Sequence, residues 1–273
     1  MQDRYTVMGN PIAHSKSPLI HAQFAQQTGQ ILNYDTCLTD KDTFKEMAQT
    51  LQKSGTKGVN ITVPFKVEAW HYADQLSDLA RRAEAVNTLI FQADGEVFGA
   101  NTDGIGIVRD LTQNHAIKLA NQRILLLGAG GAVQGVLQPL LAENPAILHI
   151  ANRTASKASQ LAQNFADLGH ITGGGLDSID TAQFDLIING TAASLQGTVP
   201  KIPAQCLAKN ASCYDMMYAQ EDTPFVTWAK QQGALNALDG LGMLVEQAAE
   251  SFYLWRGVRP DTAPILRYMK NLS

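Results

Sequence analysis

The sequence predicts an α/β protein of two domains, and three observations carry that prediction. At 273 residues the chain can build one large core or two smaller ones. Strand-length apolar runs alternate with helical stripes, the pattern of sheets with mostly parallel strands. The rhythm also changes near Asp103, from a region ending in a hairpin to a regular succession of β/α steps.

Tyr5 to Met8 reads as a short strand. Ser17-Pro18 opens a helix, with Ser17 as N-cap and Pro18 at the first helical position; Gly29 ends it. Tyr34 to Leu38 is strand-like, Asp42 to Lys53 helical up to Gly55, and Val59 to Val63 again a strand. Val86 to Phe91 and Glu96 to Gly99 pair around Asp94-Gly95, so the last part of this first sheet is antiparallel. Beyond Asp103, strands are expected at Arg123 to Leu127, Ile147 to Ala151, near Ile171, and at Asp185 to Asn189, Ser212 to Asp215 and Leu235 to Leu238. Helices are expected at Ala132 to Leu141 and Ala155 to Phe165. This is a doubly wound domain. Two helices follow, from Leu241 and from Thr262; Leu241, Leu244, Val245, Ala248 and Phe252 make a helical stripe. They are expected to pack back on the first domain. The boundaries are then 1–103 completed by 240–273, and 104–239.

Hydrophobic residues make up 45% and charged residues 17%, an ordinary globular mixture, and the net charge of −4 argues against a nucleic-acid-binding protein. Asp3 and Arg4 precede only a short apolar run, and Ile124 to Val133 is too short and glycine-rich to span a bilayer. A cytoplasmic protein without membrane partners is expected. Cys37, Cys206 and Cys213 show no metal or redox spacing, and no two histidines stand at i, i+4, so reduced thiols and no metal are expected.

LLLGAGGA, residues 125 to 132, places glycines between a strand and a helix. Gly128 permits the tight turn, Gly130 lets backbone approach a pyrophosphate, and the helix N-terminus offers free N–H groups to an anion. Ala129, Gly131 and Ala132 complete the turn, with Val133 at the usual third glycine position. A structural turn would look the same in isolation, but the flanking strand and helix favour a Rossmann-type dinucleotide site. The next strand ends in IANRTASK, residues 150 to 157. An NAD site would carry an acidic residue there; Asn152 and Arg153 stand in its place, and Arg can fork onto a 2′-phosphate. Thr154 is a candidate N-cap, and Lys157 sits in the first helical turn, where a cation opposes the helix dipole unless a phosphate is bound. NADP is therefore the expected cofactor.

NITVPFK, residues 60 to 66, puts Lys66 where the chain leaves a strand, just after Pro64. NTDGIG, residues 101 to 106, puts Asp103 at the junction of the halves, where it could instead be a helix N-cap. Together a lysine and an aspartate can hold one hydroxyl and move its proton. Burial would lower the lysine pKa and a nearby carboxylate raise it; the sequence leaves that balance open.

GNPIAHSKSP (9 to 18), NITVPFK, AVNTL (85 to 89), NTDGIG, LLLGAGGA, ANRT, YDMMY (214 to 218) and DGLGMLVEQAA (239 to 249), in this order over nearly the whole chain, resemble the shikimate dehydrogenases. The resemblance implies a substrate-binding α/β domain and a Rossmann domain with the active site in the cleft between them. It implies NADP-dependent interconversion of 3-dehydroshikimate and shikimate, a step of aromatic amino acid (chorismate) biosynthesis. It assigns Lys66 as acid–base group and Asp103 as its partner. Ser15 and Ser17 would bind the substrate carboxylate. Thr62, Asn87, Tyr218 and Gln247 would hold substrate hydroxyls and the carboxylate surroundings. Gly240 and Met243 would lie near the nicotinamide with Met216, and Thr191 along the cofactor. Gly240, Met243 and Gln247 are spaced to share one helix face. Asp78 stands where many members carry Glu near the cofactor. AAS follows Thr191 where the family more often has Ser-Ala-Gly, so no contacts are carried over to Ala192 and Ser194. A homodimer is compatible with the resemblance. A quinate-preferring relative and a non-catalytic NADP(H) sensor are the alternatives.

Overall fold

The computed structural model describes residues 2–179 and 182–271, and the chain divides into two units. The first runs to Gly106 and resumes at Val245; the second is Ile107–Leu244.

The first unit holds β1 (Asp3–Gly9), α1 (Ser17–Thr28), β2 (Leu32–Leu38), α2 (Phe44–Lys53), β3 (Thr56–Ile61), α3 (Lys66–Tyr72), β4 (Gln75–Leu76), α4 (Asp78–Ala83), β5 (Thr88–Phe91) and β6 (Val97–Ala100). Its six strands are ordered β2-β1-β3-β5-β6-β4. β1 is parallel to β2 and β3, whereas β5 is antiparallel to both β3 and β6. As a result the carboxyl ends of β1, β3 and β6 and the amino end of β5 share one edge. The hairpin turns at Gly95, whose φ of +94° suits a residue without Cβ, and Asp94 accepts the N–H of Glu96. Met8, Val59, Ile61, Phe65 and Leu89 fill the core under α2 and α3.

α5 (Asp103–Arg109) carries the chain from the first unit into the second. There follow β7 (Arg123–Leu127), α6 (Gly131–Ala142), β8 (Ile147–Ala151), α7 (Ala155–Asn164), β9 (Ile171–Gly174), β10 (Phe184–Asn189), β11 (Leu207–Asp215), α8 (Pro224–Gln231) and β12 (Asn236–Leu238). The order β12-β11-β10-β7-β8-β9 is parallel throughout. Strands buried on both faces need unbroken apolar runs, and Ile124 to Leu127 are fully buried. The winding reverses between β7 and β10, so loops leaving these strands open on a crevice at their carboxyl ends. α9 (Leu241–Arg256) returns the chain to the first unit, followed by α10 (Thr262–Asn271). At the end of α9, Arg256 bonds Asp3 and Gln30, and the Trp255 indole donates to Leu89 O at 3.0 Å.

Several expectations are corrected. α1 begins at Ser17 itself, after a helical-region Lys16 with φ of −85°; Ser17 is the first helical residue and not its N-cap. β3 ends at Ile61, and Lys66 opens α3 after a turn in which Phe65 N–H bonds Thr62 O at 3.0 Å. α2 starts at Phe44 instead of Asp42. Gly240 precedes α9 and does not belong to its face. The sequence reading missed α3, α4, β4 and α8, which are too short or too mixed in polarity to show a period.

His21 on α1 is buried, neither ring nitrogen is hydrogen-bonded, and its ring stacks on Tyr34 at 4.1 Å. Burial drives its pKa from 6.5 down to about 3, against a weaker opposing pull from Asn60. The unfolded chain therefore binds the extra proton between those values. Above the unfolded pKa the ring is neutral in both states and adds no pH dependence, and stability falls as pH drops from there toward the folded one, by up to about 1.4 kcal/mol per pH unit. His21→Phe should flatten this dependence, read from urea midpoints at about pH 7 and about pH 5. An unchanged slope in the variant would show that other groups cause it.

Candidate functional site

In the first unit the shared strand edge gathers side chains from distant segments. After β1 the chain turns, and Ser15 Oγ accepts the N–H of Ser17 at 3.3 Å. Ser15 is half-buried and Ser17 buried. After β3, half-buried Thr62 is tied to β1 by its N–H to Met8 O at 3.0 Å. Gly9 has room for no Cβ, because one would stand 2.4 Å from the Thr62 methyl. Lys66 follows at the start of α3, its carbonyl accepting Val86 N–H at 2.8 Å.

Lys66 Nζ donates to Asp103 Oδ2 at 2.6 Å, and the two side chains are 20% and 7% exposed. The lysine side chain is thus part-exposed and the aspartate side chain buried. Asp103 is the first residue of α5, and its oxygens are taken by side chains, so the capping alternative is not realised; Asn101 Oδ1 accepts its N–H at 3.1 Å. Asn87 Nδ2 donates to Asp103 Oδ1 at 2.8 Å and lies 3.3 Å from Gln247 Oε1. Its orientation has a cause: the Thr102 N–H can only donate, and it donates to Asn87 Oδ1 at 2.9 Å. Behind Asn87, Thr88, Thr102, Ser251 and Asn60 form a buried hydrogen-bonded cluster, and Tyr34 OH donates to Asn60 Oδ1 at 2.6 Å. The sequence reading did not single out these supporting residues. Their one local signal is polarity inside apolar strands, as at Asn60 in NITV. Among the sequence-predicted substrate residues, Ser15, Ser17, Thr62, Lys66, Asn87, Asp103 and Gln247 belong to this unit, and so does exposed Asp78 on α4. Tyr218 belongs to the second unit, where burial raises its phenol pKa.

In the second unit the loops at the carboxyl ends of the parallel strands hold the other predicted residues. Gly128 has φ of +108°, and its N–H bonds Ala151 O at 2.9 Å. An added Cβ at Gly130 or Gly131 would meet nothing within 4 Å, so the backbone of this turn faces open space beside Ala129 and Ala132. Gly130 is the N-cap of α6 and supplies no capping side chain. Val133 is fully buried, and Gly190 makes room for it: a Cβ there would stand 2.5 Å from Val133 Cγ2. The close approach that a third glycine usually permits is provided from β10's side. After β8, Asn152 Nδ2 donates to Thr154 O at 3.0 Å. Thr154 is the N-cap of α7, but its hydroxyl makes no capping bond. Arg153 and Lys157 are exposed, and among the described residues neither has a carboxylate partner. Uncapped N–H groups, two unpaired cations and an open glycine turn fit a dinucleotide carrying a 2′-phosphate. Thr191 follows β10, and Met216 follows β11. Gly240 could not carry a side chain, since a Cβ would sit 2.4 Å from Met216 O; Met243 is in the first turn of α9, its N–H bonded to Tyr214 OH at 3.3 Å. Among the described residues no cluster could hold a metal ion, and no helix is long and apolar enough to cross a membrane.

Comparison with known proteins agrees with both halves. Residues 7–89 match the family described as shikimate dehydrogenase substrate binding domain, 110–209 the shikimate / quinate 5-dehydrogenase family, and 240–267 the shikimate 5′-dehydrogenase C-terminal domain. The chain is 55% identical over 270 residues to a shikimate dehydrogenase (NADP(+)) of Cellvibrio japonicus, covering 99% of this chain and 98% of the relative. Among solved structures, an Ael1 enzyme from Pseudomonas putida is 44% identical with a TM-score of 0.92, covering 98% of each chain. Shikimate 5-dehydrogenase of Thermus thermophilus, in complex with NADP(H) and shikimate, is 30% identical with a TM-score of 0.88, covering 100% of each.

Asn87→Ala should leave Asp103 Oδ1 and the Thr102 N–H without their partner in a buried setting. The expected loss is about 1–3 kcal/mol of stability, measured by urea unfolding. A variant as stable as the parent would show that water replaces the amide freely.

Proposed function

The chain belongs to the shikimate dehydrogenase family, and on that premise we propose that it catalyses the reversible NADP-dependent interconversion of 3-dehydroshikimate and shikimate. This would place it in aromatic amino acid and chorismate biosynthesis. The observation that carries the chemistry is the Lys66–Asp103 pair, joined at 2.6 Å at the carboxyl edge of the first unit's sheet. In this reading the first unit holds the substrate and the second the dinucleotide.

Lys66 donates the proton to the ring oxygen as the ketone is reduced, and takes it back in oxidation. Asp103 keeps the ammonium aimed, and Asn87 keeps Asp103 aimed in turn. Ser15 and Ser17 hold the substrate carboxylate, and Tyr218 completes its surroundings. Thr62, Asn87 and Gln247 receive the ring hydroxyls. Ser17 lies inside the first turn of α1 and is not its N-cap. Residues 128–132 and the start of α6 would take the pyrophosphate, and Asn152, Arg153, Thr154 and Lys157 the 2′-phosphate and its ribose. Thr191, Met216, Gly240 and Met243 would line the rest of the cofactor, with Asp78 from the first unit. When bound, the cofactor supplies or accepts the hydride at the ring carbon bearing the oxygen.

Initial rates with NADP or NAD, each paired with shikimate or quinate, test the activity. Fast turnover with NADP and shikimate alone is expected. Preference for quinate would move the substrate assignment, and NADPH binding without turnover would favour a sensor. Lys66→Ala should lower kcat/KM by about 10²–10⁴-fold while NADPH binding persists. Unchanged turnover would remove Lys66 from the proton transfer. Neutralising Arg153 and Lys157 together should raise KM for NADP by about 10- to 100-fold and leave KM for NAD nearly unmoved. An equal rise for both cofactors would place these cations elsewhere.

A further inference from the structure

Asp215 is the last residue of β11 and is 0% exposed. Its carboxyl group meets four donors. Oδ1 accepts Asn189 Nδ2 at 3.0 Å and Met217 N–H at 3.1 Å; Oδ2 accepts Ser194 Oγ at 2.5 Å and Thr223 Oγ1 at 2.6 Å. Among the described residues no cation lies within ion-pair distance of it. Burying a carboxylate without a counter-charge is costly, and four hydrogen bonds are what make it tolerable. The four donors come from two stretches of chain, 189–194 from the end of β10 onward and 217–223 after β11.

Asn189, also 0% exposed, transmits the effect. Asp215 claims its Nδ2, which turns Oδ1 toward Thr191, whose N–H and hydroxyl both donate to it at 3.1 and 2.7 Å. Thr191 Oγ1 in turn accepts Ala193 N–H at 3.3 Å. Ser194 gives its hydroxyl to Asp215. On the other side, the N–H of Met216 bonds Asn189 O at 2.9 Å and that of Met217 bonds Asp215 itself. Thr223 both donates to Asp215 and caps α8 by accepting Val226 N–H at 3.2 Å.

We propose that Asp215 is a positioning residue for the reaction, its buried carboxylate setting the Thr191–Ser194 turn and the Met216–Tyr218 segment in one arrangement. The proposal rests on the reading above, in which Thr191 and Met216 face the cofactor and Tyr218 the substrate. Asp215 touches neither ligand and acts through these groups. Its loss would let Asn189 turn its amide and release Thr191, while Met217 would lose the bond that starts the next segment.

Asp215→Asn tests this with the shape kept. Oδ1 can still accept from Asn189 and Met217, but the new amide nitrogen can only donate, so the Ser194 and Thr223 hydroxyls lose their shared acceptor and the Thr191–Ser194 turn loses one of its two ties to Asp215. Ser194→Ala, which removes a single donor, is the second variant should Asp215→Asn not fold. The readouts are the NADPH dissociation constant by fluorescence titration, KM and kcat, with thermal melts as the control. For folded Asp215→Asn the dissociation constant should rise at least about fivefold and kcat should fall. Ser194→Ala should show a smaller shift, about twofold or more, in the same direction. A lowered melting temperature with unchanged NADPH binding and kcat in the folded fraction would make Asp215 merely structural and overturn the proposal. Should the parent protein itself fail to bind NADPH, the cofactor reading fails and this inference with it. Normal parental binding with unaffected variants sinks this inference alone.

Discussion

Asn87 has one orientation in which its hydrogen bonds are satisfied, and the active edge of the first unit follows from it. Its main chain joins two neighbours, Ile61 N–H bonding its carbonyl at 2.8 Å and its own N–H bonding Ala100 O at 3.0 Å. With the Thr102 N–H on Oδ1, the amide nitrogen must face Asp103. Asp103 then offers its second oxygen to Lys66. A flexible lysine loses little by wandering unless something fixed holds its head, and here that fixed point is a carboxylate anchored by a buried amide. Thr88, Asn60 and Ser251 in turn keep the amide from rotating.

The second unit solves a different problem. A dinucleotide needs backbone N–H groups brought close, with little side chain in the way. Parallel strands end together and deliver their loops to one edge, so glycine at a few positions suffices. Gly128 takes a left-handed φ, and Gly240 passes the Met216 carbonyl where a side chain could not. Val133 does not spoil the glycine turn, because Gly190 on the neighbouring loop yields the volume. The close packing is a property of the pair of loops and cannot be read from either one.

The electrostatics of the two units also contrast. At its candidate site the first unit sets a part-exposed lysine against a buried carboxylate, Lys66 against Asp103. Among the described residues, the second leaves Arg153 and Lys157 exposed without acidic partners and buries Asp215 without a cation. A protein of net charge −4 thus carries a basic turn that is unmatched among the described residues. Unpaired cations beside an uncapped helix start are a weak arrangement on their own, and a bound phosphate resolves it.

Much of the fold was legible in sequence. β7 and β8 stand where their apolar runs predict them, and Gly29 and Asp94-Gly95 mark a helix end and a turn. Glycine geometry and apolar period are local properties, so composition and spacing reveal them, and the ordered motifs were enough to identify the family. Lys66 and Asp103 were legible as residues, but their contact was not. Nor did the sequence show that Ser17 lies inside α1 and not at its cap, or that Asp103 spends its carboxylate on side chains. Asn60 and Ser251 meet across 191 positions, and Asn189 and Asp215 across 26. The sequence alone determined the strongly periodic strands and helices, the glycine turn and the sign of charge at the second β/α step, since each depends on neighbours a few residues apart, whereas the short α3, α4, β4 and α8 left no such local mark. Only the tertiary structure decided which buried polar groups satisfy one another, because each such bond depends on where two distant segments come to rest.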